Sequence, residues 1–96
     1  MKNRNTETKS KTGFYVDTYS DGSYYLSGFP TKEYRFREYS DAYDVENMLK
    51  EKVKLPASAE CDSESGQLFI YFKTKVGALS YLKRIEKYLD SVKELV

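Results

Sequence analysis

The chain has no histidine, no tryptophan, one cysteine and two prolines. Each shortage excludes something. Histidine is the one side chain whose unperturbed pKa lies between pH 5 and 8. Without it, and with a single thiol, the common nucleophile–base pairs and the Cys/His ligand set of a structural zinc site are missing. Cys61 has no second cysteine to pair with, which fits a reducing compartment, so the expected location is cytoplasmic. No apolar run approaches the ~18 residues of a membrane helix, so no membrane partner is expected. The polar opening, Met1 to Thr12, does not read as a signal peptide. Gly22, Gly28, Gly66 and Gly77 stand isolated, so no glycine-rich phosphate loop is present. The net charge is only +1, which excludes a global nucleic-acid-attracting field.

What is abundant is aromatic surface: ten tyrosines and five phenylalanines in 96 residues. Tyrosine joins a large apolar ring to a polar tip, a combination suited to interfaces that must stay soluble when free. The balance points to binding rather than catalysis, with no cofactor and no metal. A carboxylate site around Glu60, Asp62 and Glu64 has calcium-loop alternation, but lacks the glycine at the sixth position and the bidentate glutamate at the twelfth. These residues read as the solvent face of an edge strand. Cys61, flanked by Glu60 and Asp62, lies on the inward side of a small-residue strand and reads as a structural thiol.

The chain length fits one domain. Residues 1–12 hold no apolar residue but Met1 and carry Lys2, Arg4, Lys9 and Lys11 against Glu7. They read as a disordered basic tail preceding a single domain over 13–96. From Phe14 the residues alternate, and Ser20-Asp21-Gly22 interrupts them. A three-residue loop with Gly22 in the left-handed position pairs Val16 with Leu26. That register sets Phe14, Val16, Tyr24 and Leu26 on one face and Tyr15, Asp17, Tyr19 and Tyr25 on the other. Glu33 to Tyr39 alternates again and predicts a third strand, with Tyr34 and Phe36 opposite Arg35, Arg37 and Tyr39.

Ser40 reads as the N-cap of a helix that Pro56 stops near Val53. A fourth strand covers 57–62. Gln67 to Lys73, apolar on both faces, predicts a central strand. Thr74 caps a last helix in which Val76, Leu79, Leu82, Ile85, Leu89 and Val92 recur at steps of three and four. Tyr34, Phe36, Ser40, Val45 and Met48 also align with Leu68, Ile70, Thr74, Leu79 and Leu82 at an offset of 34 residues. The predicted fold is therefore α+β: a small antiparallel sheet of about five strands, in the order βββαββα, with both helices on one face. The repeated ββα unit is what a permuted ferredoxin-like sandwich would show.

On this reading Tyr15, Tyr19, Tyr25 and Tyr39 face away from the helices. Together with Arg35 and Arg37 they form the expected protein-binding surface. A homodimer is a second way to cover that face. The alternative is a small RNA- or DNA-binding domain that uses Arg35, Arg37, Lys83, Arg84 and Lys87 with the sheet aromatics. Tyr34-Arg35-Phe36-Arg37 interleaves rings and cations in that manner, but lacks the glycine-containing order of an RNP-type motif. In size, composition and lack of catalytic groups, the chain resembles many small phage- or mobile-element-encoded proteins that bind and block a host protein.

Overall fold

The computed structural model describes residues 8–35, 39, 41–62 and 64–95. Strands β2 (Phe14–Thr18), β3 (Tyr24–Gly28), β4 (Ala59–Asp62) and β5 (Gln67–Phe72) form an antiparallel sheet, with a two-residue strand, β1 (Thr8–Lys9), at one edge. The spatial order is β1-β2-β3-β5-β4, so β5 is central and β4 lies at the far edge. Helix α1 (Ala42–Lys52) follows the first hairpin and α2 (Lys75–Leu95) follows the second. Leaving aside β1, the element order is ββαββα with every pairing antiparallel, the arrangement expected of a permuted ferredoxin-like sandwich.

The first hairpin forms in the expected register. Val16 faces Leu26, and the Tyr19 amide donates to the Ser23 carbonyl at 2.7 Å to close the Ser20-Asp21-Gly22 loop. Gly22 has φ +92°, the left-handed conformation such a loop requires. The inward residues Phe14, Val16, Leu26, Leu68 and Ile70 join Ala42, Val45, Met48 and Leu49 of α1 and Ala78, Tyr81, Leu82, Ile85 and Leu89 of α2 in one buried core. Both helices therefore cover the same face of the sheet. Burying a side chain of this size contributes about 1.5–3 kcal/mol.

Two glycines permit a close backbone approach. Gly13 and Gly28 both have positive φ, +105° and +125°. A Cβ on Gly28 would lie 2.4 Å from the Gly13 carbonyl oxygen, and one on Gly13 would lie 2.2 Å from the Phe29 carbonyl oxygen. Only a residue without Cβ fits either place.

The helix boundaries follow local chemistry. The Asp41 carboxylate accepts from the Tyr43 and Asp44 amides, so the N-cap of α1 is Asp41, one residue after the serine expected there. Val53 closes α1 and Lys54 follows in the left-handed region, φ 55°, just before Pro56. Thr74 caps α2 as expected, its Oγ1 accepting from the Gly77 amide at 3.0 Å. The buried stripe of α2 is rotated from the expected one. Val76 is 78% exposed, and Ala78 and Tyr81 occupy the core instead.

Three further expectations are corrected. Over 33–39, where a strand is expected, the described residues are not extended into one: Lys32–Tyr34 is a single 3-10 turn, and Tyr39 is a buried core residue. Both edges of the first hairpin are taken, by β1 and by β5, and Tyr34 turns inward, where its hydroxyl meets Asp90. Residues 36–38 lie outside the described residues. The 34-residue offset accordingly does not align strands; the repeat is one of elements, hairpin then helix, with a longer connection in the first half. Finally, the domain begins before residue 13. Thr8 and Lys9 pair with Val16 and Tyr15, Thr12 is fully buried, and the Thr31 amide donates to the Thr12 carbonyl at 2.8 Å. Short polar residues are ordered here because backbone pairing, not apolar burial, holds them.

Candidate functional site: the outer face of the sheet

Strand alternation sends Tyr15, Asp17, Tyr25, Ser27, Phe69 and Tyr71 to the face opposite the helices. Tyr25 lies directly across from Tyr71, which brings the first hairpin's tyrosines onto the central strand. Tyr19, at the end of β2, leans over both. Its ring meets Tyr25 at 6.2 Å and Tyr71 at 5.4 Å, edge to face in each case. Tyr25 meets Tyr15 at 6.3 Å and Phe69 at 5.6 Å, also edge to face, and Phe69 stacks beside Tyr71 at an interplanar angle of 22°. Five rings from three strands thus form one connected array. Each such contact is worth about 0.5–1.5 kcal/mol beyond its area. Tyr15, Tyr25, Phe69 and Tyr71 are half-buried by one another, and Tyr19 stays 44% exposed.

Between the rings runs an open groove of about 360 Å³, lined by Tyr19, Tyr25, Phe69 and Tyr71 and by two carboxylates, Glu60 and Asp62. Glu60 pairs with Phe69 across the β4–β5 ladder, and Asp62 with Gln67, so both acids share the face of the rings. Asp62 also accepts from the Glu64 amide at 3.0 Å, which braces it against the turn. The Tyr71 hydroxyl is pushed above the ordinary tyrosine range, first by burial and then by Glu60, Tyr19 and Asp62.

The structure brings Tyr15, Tyr19 and Tyr25 together as the sequence predicts. It removes Tyr39, which is buried in the core beside Phe29, ring centroids 6.2 Å apart. It also places Arg35 elsewhere. That guanidinium stacks over Phe29 at 5.0 Å and its Nε donates to the Pro30 carbonyl at 2.8 Å, beyond the end of β3. Arg37 lies outside the described residues. Phe69 and Tyr71, and the groove acids Glu60 and Asp62, were not among the expected partner-binding residues. The apolar pattern on both faces of 67–72 marks a central strand but does not say which rings its outer face meets.

The cations of the nucleic-acid alternative sit apart from these rings. Lys83, Arg84 and Lys87 project from exposed positions of α2. Arg84 stacks over Tyr81 at 5.5 Å and donates from Nη2 to the Val53 carbonyl at 3.1 Å, so it satisfies the C-terminal end of α1. Lys52, Arg84 and Lys87 line a second open groove of about 350 Å³ between the helices.

Cys61 faces inward as expected, with Sγ 3.6 Å from the Ala42 carbonyl oxygen. Burial pushes its pKa up to about 11, with Glu46 the next contributor. The expected neighbours Glu60 and Asp62 instead point to the other face. A thiol held protonated in this way is a poor nucleophile. Among the described residues no group of three acids, cysteines or histidines is placed to hold a metal ion, and no helix is long and apolar enough to cross a membrane.

Comparison with protein-family models, curated proteins and solved structures gave no match. The fold and the site define a small α+β domain with a tyrosine-rich aromatic cluster on one sheet face.

Proposed function

We propose that this protein is a non-enzymatic protein-binding module whose recognition surface is the outer face of the sheet. One observation carries the reading: five rings, Tyr15, Tyr19, Tyr25, Phe69 and Tyr71, are gathered on the side of the sheet that neither helix covers. A contiguous aromatic patch rimmed by polar groups is the signature of an interaction site, and tyrosines in such patches are frequent hot spots. Rings already packed on one another lose little side-chain entropy on docking.

A domain that acts by occupying its partner's surface needs no reactive group. The inhibitor role of phage- or mobile-element-type proteins is the form of this function that the reading favours, in a cytoplasmic setting. Nucleic-acid binding draws less support. Arg35 and Arg84 are engaged within the fold, and the groove among the rings carries two carboxylates that repel phosphate.

The test is affinity capture from host lysate after nuclease treatment, with two variants in parallel. Tyr19→Ala with Tyr25→Ala should lose the captured protein while keeping the far-ultraviolet circular dichroism of the parent. Lys83→Ala with Lys87→Ala and Arg35→Ala should retain it. The opposite ranking, together with a salt slope of roughly −0.7 to −0.9 per neutralised phosphate, would replace the reading with nucleic-acid binding.

A further inference from the structure

We infer that the groove among Tyr19, Tyr25, Phe69 and Tyr71 receives a cationic side chain, a lysine or arginine carried by a basic segment of a partner protein, with Glu60 and Asp62 as its counter-charges. This deepens the reading of the sheet face as a binding surface and rests on it.

The groove has two components, and they favour the same ligand charge. The first is aromatic. Tyr19 stands at 73° to Tyr71 and 85° to Tyr25, while Phe69 and Tyr71 are nearly coplanar in orientation. Ring faces and edges therefore converge on one space, and a ring face is the negative pole of its quadrupole. The second is ionic. Glu60 and Asp62 alternate on β4, which sets them on one face about 7 Å apart along the groove wall. Among the described residues no lysine or arginine forms an ion pair with either acid. Burial first, and then Glu60, Tyr19 and Asp62, push the Tyr71 hydroxyl up, as expected of acids that share the groove with it.

Other occupants fit less well. An anion would meet repulsion from both acids. A neutral apolar side chain would strip water from two carboxylates and return no partner to them, which is costly. A cation gains from both components at once. The groove is a shallow channel on a sheet face rather than an enclosed cage. It therefore suits the head of a long side chain whose own backbone lies across neighbouring rings.

A hexa-arginine peptide is the probe, titrated into the isotope-labelled protein and followed by amide chemical shifts. Shifts should concentrate at Tyr19, Tyr25, Glu60, Asp62, Phe69 and Tyr71, and hexa-glutamate should produce none there. The double variant Glu60→Gln, Asp62→Asn keeps side-chain size and the acceptor for the Glu64 amide. It should weaken the peptide about tenfold and flatten the salt dependence. Tyr71→Ala should weaken it by a similar factor.

The inference is overturned if the shifts fall instead on the acids of α2 and the 31–34 turn, or if the Gln/Asn variant binds the peptide as tightly as the parent. It is equally overturned if a second copy of the chain occupies the face, seen by sedimentation as self-association that hexa-arginine does not displace. A protein partner lost on Tyr19→Ala with Tyr71→Ala but kept by Glu60→Gln, Asp62→Asn would remove the cationic occupant and leave the binding face standing. A partner kept by both would remove the binding face itself.

Discussion

Tyr34 donates its phenolic hydrogen to Asp90 Oδ1 across 3.0 Å, joining the turn after β3 to the C-terminal half of α2. The other carboxylate oxygen of Asp90 pairs with Lys11 Nζ at 3.4 Å, and Lys93 Nζ lies 4.6 Å from the centre of the Tyr34 ring. One carboxylate therefore ties together the turn between β1 and β2, the 3-10 turn and the last helix. A hydrogen bond to a charged acceptor is worth about 1.5–3 kcal/mol. Tyr34→Phe keeps the buried ring and removes only that bond, so it should cost about 1–2 kcal/mol in a urea melt. A change under about 0.3 kcal/mol would show that the bond is fully replaced by solvent.

Removing residues 1–12 takes away β1, the buried Thr12 and the Lys11–Asp90 pair in one step. It also leaves the outer edge of β2 unpaired. We expect a loss of about 2 kcal/mol or more, seen calorimetrically as a fall in Tm of roughly 10 °C for a domain of this size. An unchanged Tm would mean that this segment is a passenger.

Gly28→Ala and Gly22→Ala separate space from conformation. Both positions have positive φ, +125° and +92°, but only Gly28 has backbone within 3 Å of the added Cβ. Gly22→Ala should cost about 1 kcal/mol of left-handed strain. Gly28→Ala should cost well over 2 kcal/mol or prevent folding, since the atoms in the way belong to Gly13 and Phe14 backbone. Equal costs in denaturant melts would contradict the close approach of these strands.

On α2, Leu82→Ala should destabilise by about 2–5 kcal/mol, the range for a leucine truncated in a packed core. Val76→Ser, at a position 78% exposed, should stay within about 0.5 kcal/mol. Comparable effects at the two sites would place the helix in the wrong rotation.

The raised pKa of Cys61 makes a pH prediction of definite sign. Folding lifts the thiol from 9.0 to about 11, so above pH 9 the unfolded chain sheds a proton that the folded chain retains. The stability this group confers is complete below pH 9 and declines as pH rises towards 11. At pH 8 the native thiol should react with a disulfide reagent far more slowly than the urea-unfolded chain. Equal rates would show that the thiol is open to solvent.

Much of this fold is legible in the chain because local patterns and local partners agree. The Ser20-Asp21-Gly22 loop dictates the Val16–Leu26 register from three residues, since only that register keeps Phe14, Val16 and Leu26 on one face. The same reading places Tyr15, Tyr19 and Tyr25 outside, and marks Gln67 to Phe72 as the central strand and Thr74 as a cap. The segment 33–39 misleads for a physical reason. Period-2 alternation states that a segment has two unlike faces, but it cannot state whether a strand edge is free to receive it. Here Tyr34 turns in to meet Asp90 and Tyr39 turns in to meet Phe29, so these rings serve the core rather than a sheet face.

The site divides in the same way. The chain alone determines that the protein is a two-faced α+β sheet with three tyrosines set away from its helices, because strand alternation and turn geometry are properties of neighbouring residues. Tertiary structure alone decides that Phe69 and Tyr71 complete that surface, that Glu60 and Asp62 wall its groove, and that Tyr39 and Arg35 do not belong to it. Those outcomes depend on β5 pairing with β3 rather than only with its own hairpin partner β4. Such long-range pairing is selected by the summed burial of the whole core and leaves no mark within a short stretch of sequence.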